Sequence, residues 1–144
     1  MNRYILFLSI LFLINSCKKS DSSNSSEPVL SGSWRMVLVK DLATGAVLSK
    51  PSTINGDVEI TFKSINLTTG NIIGKTPTNT LSANYAIGDN STISIPTLSF
   101  SEAMETTWGN LFLNNVTSSH HYIFETTGGL NINTTNKIFI FQKL

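Results

Sequence analysis

Few side chains in this sequence belong to types that bind metals or transfer protons. The two histidines, His120 and His121, are adjacent, and adjacent residues of a strand point to opposite faces. They are therefore poorly placed to chelate one ion, and a structural zinc site needs four ligands. Glu102 and Glu105 are three residues apart and would share a helix face, whereas a glycosidase needs two carboxylates across its substrate. We expect no metal site, and we interpret the two glutamates as charges at a helix N-terminus.

The serines and glycines form no motif that is typical of catalysis or cofactor binding. The sequence contains no Gly-x-Ser-x-Gly elbow and no phosphate-binding loop that ends in Gly-Lys-Ser or Gly-Lys-Thr. Gly70 and Gly74 lie in a hairpin context instead. We therefore predict that the protein is not an enzyme, with no catalytic residue and no cofactor.

The balance of charge disfavours a nucleic-acid partner. The chain has 10 Lys and Arg against 9 Asp and Glu, and Lys18-Lys19 is its only basic cluster. Nucleic-acid binding depends on Lys and Arg side chains that neutralise phosphates. A nearly neutral chain has no such electrostatic drive, so we expect no nucleic acid among its partners.

The first seventeen residues have the pattern of an export signal. Arg3 gives a positive start, residues 4–14 are apolar apart from one serine, and the single cysteine of the chain, Cys17, follows a small residue. The apolar stretch is shorter than the roughly 20 residues that a spanning helix needs. Residues 13–17 (LINSC) resemble a bacterial lipobox.

The lipobox resemblance implies cleavage before Cys17 and acylation of its thiol by groups such as palmitate. Stable attachment to a membrane takes two or more lipid signals, and lipoprotein maturation supplies several chains on one residue. We therefore predict a signal peptide at residues 1–16, a lipidated flexible linker at residues 17–28 and a location in the cell envelope. Lys18, where an aspartate would change sorting, favours the outer membrane. The alternative is an ordinary secretory signal with an incidental cysteine.

From residue 29 onward, short apolar runs alternate with turn residues. In residues 57–63 (DVEITFK), Val58, Ile60 and Phe62 share one face, which is the period-two pattern of a half-buried strand. Residues 68–71 (TTGN) are predicted to form a hairpin turn. Closely spaced strands of this kind favour a sandwich or barrel. The strand candidates are residues 34–39, 57–63, 81–87, 92–95, 116–125, 130–133 and 137–142.

One segment has helical rather than strand-like spacing. Residues 101–115 place apolar side chains on one helical face, and Ser101 is the expected N-cap. The apolar residues of this face are Met104, Trp108, Leu111 and Phe112. The sequence therefore predicts, over residues 29–144, a mainly β fold: a small antiparallel β-barrel or sheet domain with one short helix packed against it.

A set of glycines and polar residues resembles the core signature of the META/HslJ-like domain family. The set comprises residues 70–74 (GNIIG), Asn79 and Tyr85, and the similarity extends over residues 32–144. Many members carry cysteines that this chain lacks, so no disulfide is implied here. The resemblance implies a barrel-like domain with a helix against it, often found on envelope lipoproteins, and it implies no enzyme chemistry.

Two functions from different classes remain open. The first is a membrane-anchored, non-enzymatic interaction or stress-related module that binds an envelope protein or surface component. The second is a carrier of a small apolar ligand, because Gly32-Ser33-Trp34 resembles the Gly-x-Trp start of lipocalins. The barrel interior should distinguish them. A carrier needs an apolar cavity of several hundred Å³, whereas an interior filled by Trp34, Phe62 and Phe139 would favour surface recognition.

Overall fold

Period-two alternation decides which face of each strand turns inward. The structure, a computed structural model, describes residues 30–144. The strands within this range are β1 (Gly32–Asp41), β2 (Val47–Ser49), β3 (Glu59–Ser64), β4 (Thr69–Lys75), β5 (Thr80–Gly88), β6 (Thr92–Ser94), β7 (Leu98–Phe100), β8 (Ser119–Phe124), β9 (Leu130–Thr134) and β10 (Lys137–Lys143). One α-helix, α1 (Thr107–Leu113), and two 3₁₀ turns, Asp89–Ser91 and Val116–Ser118, complete these elements.

Eight of the strands close into an antiparallel barrel. Each pairs with the next in the order β1, β3, β4, β5, β6, β8, β9 and β10, and β10 returns to pair with β1 from Asp41↔Lys137 to Trp34↔Lys143. The two remaining strands are short additions, β2 on the edge of β1 and β7 on the edge of β5. The predicted fold class, a mainly β barrel domain with one short helix, is confirmed.

Two bulges and two glycines allow the sheet to curve onto itself. The ladder shifts register between Met36 and Leu38 and between Ser119 and His121, and such bulges bend a strand and increase its twist. In β4, a methyl group at Gly74 would overlap the carbonyl oxygen of Glu59 on the neighbouring strand. Closure therefore depends on the absence of a side chain at this position.

Gly70 lies under an aromatic ring. It pairs with Tyr85 on β5, and a methyl group at Gly70 would collide with that ring. Tyr85 in turn meets Phe62 edge to face, with 5.1 Å between the ring centroids, in the geometry that aromatic pairs prefer. The two glycines and the tyrosine of the signature thus act together as packing residues.

The strand directions separate the two ends of the barrel. One end, called the N-terminal end, holds Leu30, the C-terminal Leu144 and the loops at residues 65–68, 89–91 and 125–129. The opposite end, called the helix end, holds α1, β2 and the turns at residues 42–46, 76–79 and 135–136. The chain therefore enters the barrel at the end opposite the helix.

The barrel interior is filled by large side chains. Phe112 of α1 meets Phe139 and Phe141 of β10, at 5.4 and 6.2 Å between ring centroids. At the N-terminal end, Trp34 packs beside Phe124 at 6.0 Å, and its indole N–H donates to the Leu30 carbonyl at 3.0 Å. A barrel of eight strands is just wide enough for side chains to fill. The fully buried aromatic residues are Trp34, Phe62, Trp108, Phe112, Phe139 and Phe141.

The helix is shorter than the sequence pattern predicts. It begins at Thr107 with Thr106 as N-cap, whose hydroxyl accepts from the Gly109 N–H at 3.1 Å. The predicted N-cap, Ser101, instead extends the β7 ladder, because its N–H donates to the Thr80 carbonyl at 3.1 Å. Met104 is consequently 93% exposed and outside the core, so its predicted place on the apolar helix face is wrong.

The hairpin turn between β3 and β4 also lies earlier than predicted. It occupies residues 65–68, and Thr69 and Gly70 already belong to β4. The Asn66 side chain sets this position, because its oxygen accepts from the N–H groups of Thr68 and Thr69 at 2.9 and 2.8 Å. An asparagine that bonds its own backbone in this way is a strong turn residue, and it outweighs the glycine in the motif.

Over residues 30–144 the structure contains no helix that is both long and apolar enough to span a bilayer.

Gly74→Ala should destabilise the barrel strongly. The added methyl has no space beside the β3 backbone, and overpacking of this kind costs about 1–3 kcal/mol. Asn71→Ala, an exposed position on the same strand, should change the free energy of unfolding by no more than about 0.5 kcal/mol. Urea denaturation of both variants measures the difference, and equal stabilities would contradict the role given to Gly74.

Candidate functional site

The residues singled out in the sequence do not converge on a reaction centre in the described structure. Cys17, the predicted lipidation site, lies outside the described residues. His120 is exposed and His121 half-buried on β8. Within residues 30–144, no three His, Cys, Asp or Glu side chains come close enough together to hold a metal ion.

The two glutamates separate rather than share a helix face. Glu102 is exposed on the segment before α1. Glu105 precedes the N-cap, and its side chain turns toward the β4–β5 turn. The prediction that the two residues share a helix face is therefore wrong, because the helix begins two residues after Glu105. Glu105 still places its charge beside the N-terminus of α1, where it accepts from the Thr106 N–H.

Both carboxylate oxygens of Glu105 are fully engaged. One accepts from the Asn79 side-chain amide at 2.8 Å and from the Thr76 hydroxyl. The other accepts from the Thr106 N–H at 2.7 Å and the Thr106 hydroxyl at 3.0 Å. This network, called the Glu105 cluster, joins the β4–β5 turn to the start of α1.

Asn79 completes the join through its other contacts. Its side-chain oxygen accepts from the Ala103 N–H at 2.9 Å and the Ser101 hydroxyl at 3.1 Å, while its amide donates to the Ala103 carbonyl at 3.0 Å. Asn79 is almost wholly buried, and a buried amide that lost these partners would be costly. The sequence indicates Asn79 only as part of a family-like signature. In the structure, Asn79 joins the β4–β5 turn to the segment before α1.

The Glu105 cluster is suited to holding structure rather than to moving protons. Burial by itself would raise the pKa of Glu105, but hydrogen bonds from Asn79, Thr76 and Thr106 outweigh it and lower the pKa to about 2. A general acid or base works best with a pKa near the working pH. Glu105 thus remains ionised and bonded at neutral pH, and it stabilises the seat of the helix.

Asp41 is a second ionised carboxylate with a structural role. Its hydrogen bond with Lys137, at 2.9 Å, is the main cause of a pKa well below the usual range, with further bonds from Thr44. Asp41 and Lys137 are paired across β1 and β10. This ion pair therefore lies on the seam that closes the barrel.

The outer face of β3, β4, β5 and β7 is polar and shallow. Two adjoining depressions of about 270 Å³ each lie over β5 and β7. Ile73 is a half-exposed apolar residue on this face. Glu59, on the neighbouring strand, forms ion pairs with Arg35 and Lys75, with nitrogen–oxygen distances of 3.2 and 3.1 Å. The polar residues of the face include Asn71, Ser82, Asn84, Thr97 and Ser99.

A different kind of depression lies at the helix end, between β2 and α1. It has a volume of about 260 Å³ and is called the β2–α1 groove. No charged side chain lines it. The lining residues are Leu48, Ser49, Pro51, Thr107, Trp108 and Leu111. The groove combines apolar walls with the edge of a short strand.

Comparison with known proteins bears on the fold alone. No protein-family model matches the sequence, and no curated protein matches it. A solved structure, an NMR structure of the protein from Burkholderia xenovorans, is similar with a TM-score of 0.61 at 19% identity, covering 80% of this chain and 83% of that chain. The similarity to the META/HslJ-like family therefore stays a prediction.

Glu105→Gln should destabilise the protein by about 1–3 kcal/mol at neutral pH, because an amide group would face donors that the carboxylate now accepts from. The folded-state pKa lies below its ordinary value of 4.5. The contribution is therefore complete above that value and is lost as the pH falls toward 2. The difference in free energy of unfolding between wild type and Glu105→Gln should therefore become smaller as the pH falls over this range, as measured by denaturation curves at each pH.

Glu102→Gln is the matched control, since Glu102 is an exposed glutamate three residues away. It should change stability by no more than about 0.5 kcal/mol. The structural role of the cluster would be refuted if the two substitutions lowered the free energy of unfolding equally, or if the loss in Glu105→Gln did not depend on pH.

Proposed function

We propose that this protein is a lipid-anchored, non-enzymatic recognition module of the cell envelope. Its barrel binds a protein or another surface component through its outer surface, and Cys17 holds it at a membrane. The observation that carries the proposal is the filled interior. Trp34, Phe62 and Phe139 are each at most 2% exposed, and together with α1 they occupy the space in which a carrier would hold its ligand.

The Gly32-Ser33-Trp34 start has a structural role that needs no ligand. Trp34 lies at the N-terminal end of the barrel, between Phe124 and the backbone of Leu30. It therefore plugs the barrel rather than lining a cavity. The carrier hypothesis has no other support among residues 30–144, and the recognition hypothesis is the stronger of the two.

The position of the chain start supports a tethered arrangement. Leu30 lies at the N-terminal end, and Cys17 precedes it by thirteen residues in the sequence. An anchor on Cys17 would attach to this end of the barrel. The helix end, with α1 and β2, would then face away from the membrane and be accessible to a partner.

The anchor and the recognition role can be tested in one experiment in intact cells. The wild-type chain should incorporate labelled palmitate, sediment with membranes and cross-link to an envelope component. Cys17→Ala should lose the label and the sedimentation, and cross-linking should fall with them. Ser20→Ala, a change in the same segment that keeps the thiol, is the control and should behave as wild type.

Two results would count against the proposal. If the Cys17→Ala protein remains in salt-washed membranes, the lipid anchor is refuted. If the wild-type chain is anchored but cross-links to no component under any growth condition tested, the recognition role is refuted.

A further inference from the structure

The helix end of the barrel carries a strand edge without a neighbour. β2 pairs with β1 through Lys40↔Val47, Val39↔Leu48 and Leu38↔Ser49, and within residues 30–144 it pairs with no other strand. β3 occupies the same edge of β1 further along, at Gly32 to Arg35. The outer edge of β2 is therefore unpaired in this part of the chain.

The register identifies which backbone groups face outward. The Asp41 N–H donates to the Ala46 carbonyl at 2.8 Å. Hydrogen bonding alternates along an antiparallel ladder, so Leu48 bonds to Val39. Val47 and Ser49 then direct their N–H and carbonyl groups away from β1. These are up to four backbone groups that could pair with an added strand.

The β2–α1 groove lies beside this edge. Leu48 is on the same sheet face as its partner Val39, which is fully buried, and Leu48 thus forms the strand side of the groove. Trp108 and Leu111 form the helix side. An exposed strand edge with an apolar pocket beside it is the arrangement by which domains bind extended peptides through strand addition.

We propose that the β2–α1 groove binds an extended peptide segment, which adds to β2 as an antiparallel strand and places an apolar side chain between Leu48 and Leu111. The proposal rests on the proposed recognition function and names its class of partner. Backbone hydrogen bonds to Val47 and Ser49 supply affinity, and the groove supplies preference for an apolar residue.

The size and chemistry of the groove favour a peptide over a small ligand or a lipid. Its volume of about 260 Å³ lies below the range of about 300–1,000 Å³ that is usual for ligand pockets, but it is sufficient for one or two side chains. It offers no charged residue to an anionic head group. A free ligand would also leave the β2 edge unpaired, whereas a peptide satisfies both features at once.

The place of the groove in the fold is also consistent with a protein partner. It lies at the helix end, opposite Leu30, where the chain leads back toward Cys17. With an anchor on Cys17, the groove lies at the end of the barrel farther from the tether. An extended segment of a second envelope protein could therefore reach it without approaching the lipid.

The test uses the full chain in detergent micelles and fluorescently labelled peptides. The probe is a blocked Lys-Thr-Val-Thr-Val-Thr-Lys peptide, followed by fluorescence anisotropy. In antiparallel addition, the valine side chains enter the groove and the threonine side chains point away from it. The amide N–H groups of the threonines then point toward β2. N-methylation of the threonine amides should weaken binding about tenfold or more. N-methylation of the valine amides should leave it nearly unchanged.

A matched pair of protein variants tests the groove itself. Leu48→Asp should abolish peptide binding, because it places a charge on the apolar wall. Ile123→Asp, on β8, is the control, since Ile123 and Leu48 are exposed to nearly the same extent, 44% and 45%. It should bind the peptide as wild type does. Because the methylated peptides need no change in the protein, a folding defect in Leu48→Asp leaves that comparison intact.

The outcomes separate this inference from the proposed function. Absent binding, equal weakening by both methylation patterns, or a reversed pattern would each overturn antiparallel addition to β2. If the anchored chain still cross-links to an envelope component while the peptide fails to bind, the recognition function stands and the groove assignment fails. Peptide binding by a chain that takes up no palmitate would refute the anchor and leave the groove in place.

Discussion

The pairing of the first strand with the last is the constraint on which this structure depends. β1 and β10 meet from Asp41↔Lys137 to Trp34↔Lys143, and this seam closes the sheet and removes its two edges. Closure requires tight curvature, which explains the bulge in β1 and the absence of a side chain at Gly74. It also limits the diameter, because the interior of an eight-stranded barrel is small enough for side chains to fill, and here Trp34, Phe62 and Phe139 fill it.

Because the barrel interior is filled, a binding partner would have to contact the outer surface of the barrel. α1 closes one end with Trp108 and Phe112, and the Glu105 cluster holds that helix against the β4–β5 turn through Asn79. The residues of the family-like signature thus have structural explanations: the glycines permit curvature, the tyrosine covers a glycine and the asparagine seats the helix. Under the proposed recognition function, a partner would then bind surfaces that the signature does not include, such as the β2–α1 groove.

The sequence predicted the strands well because alternation is a local property, and Val58, Ile60 and Phe62 are all buried as expected. The predicted start of the helix was wrong, because the Ser101 N–H donates to the Thr80 carbonyl of β5. Such a contact between distant residues leaves no mark in the local sequence pattern. The β2–α1 groove was missed for the same reason: Leu48 and Leu111 are far apart in the chain, and only the closed fold brings them together. The predicted lipidation of Cys17 rests on the sequence pattern alone, because Cys17 lies outside the described residues.

The central claim is that the interior has no space for a ligand, and a crystal structure determined under xenon pressure tests it most directly. Xenon enters apolar cavities in proteins and is visible in electron density. The account predicts no xenon among Trp34, Phe62 and Phe139. Ordered xenon in the middle of the barrel would contradict it, and the protein would then have to be considered a carrier of a small apolar ligand.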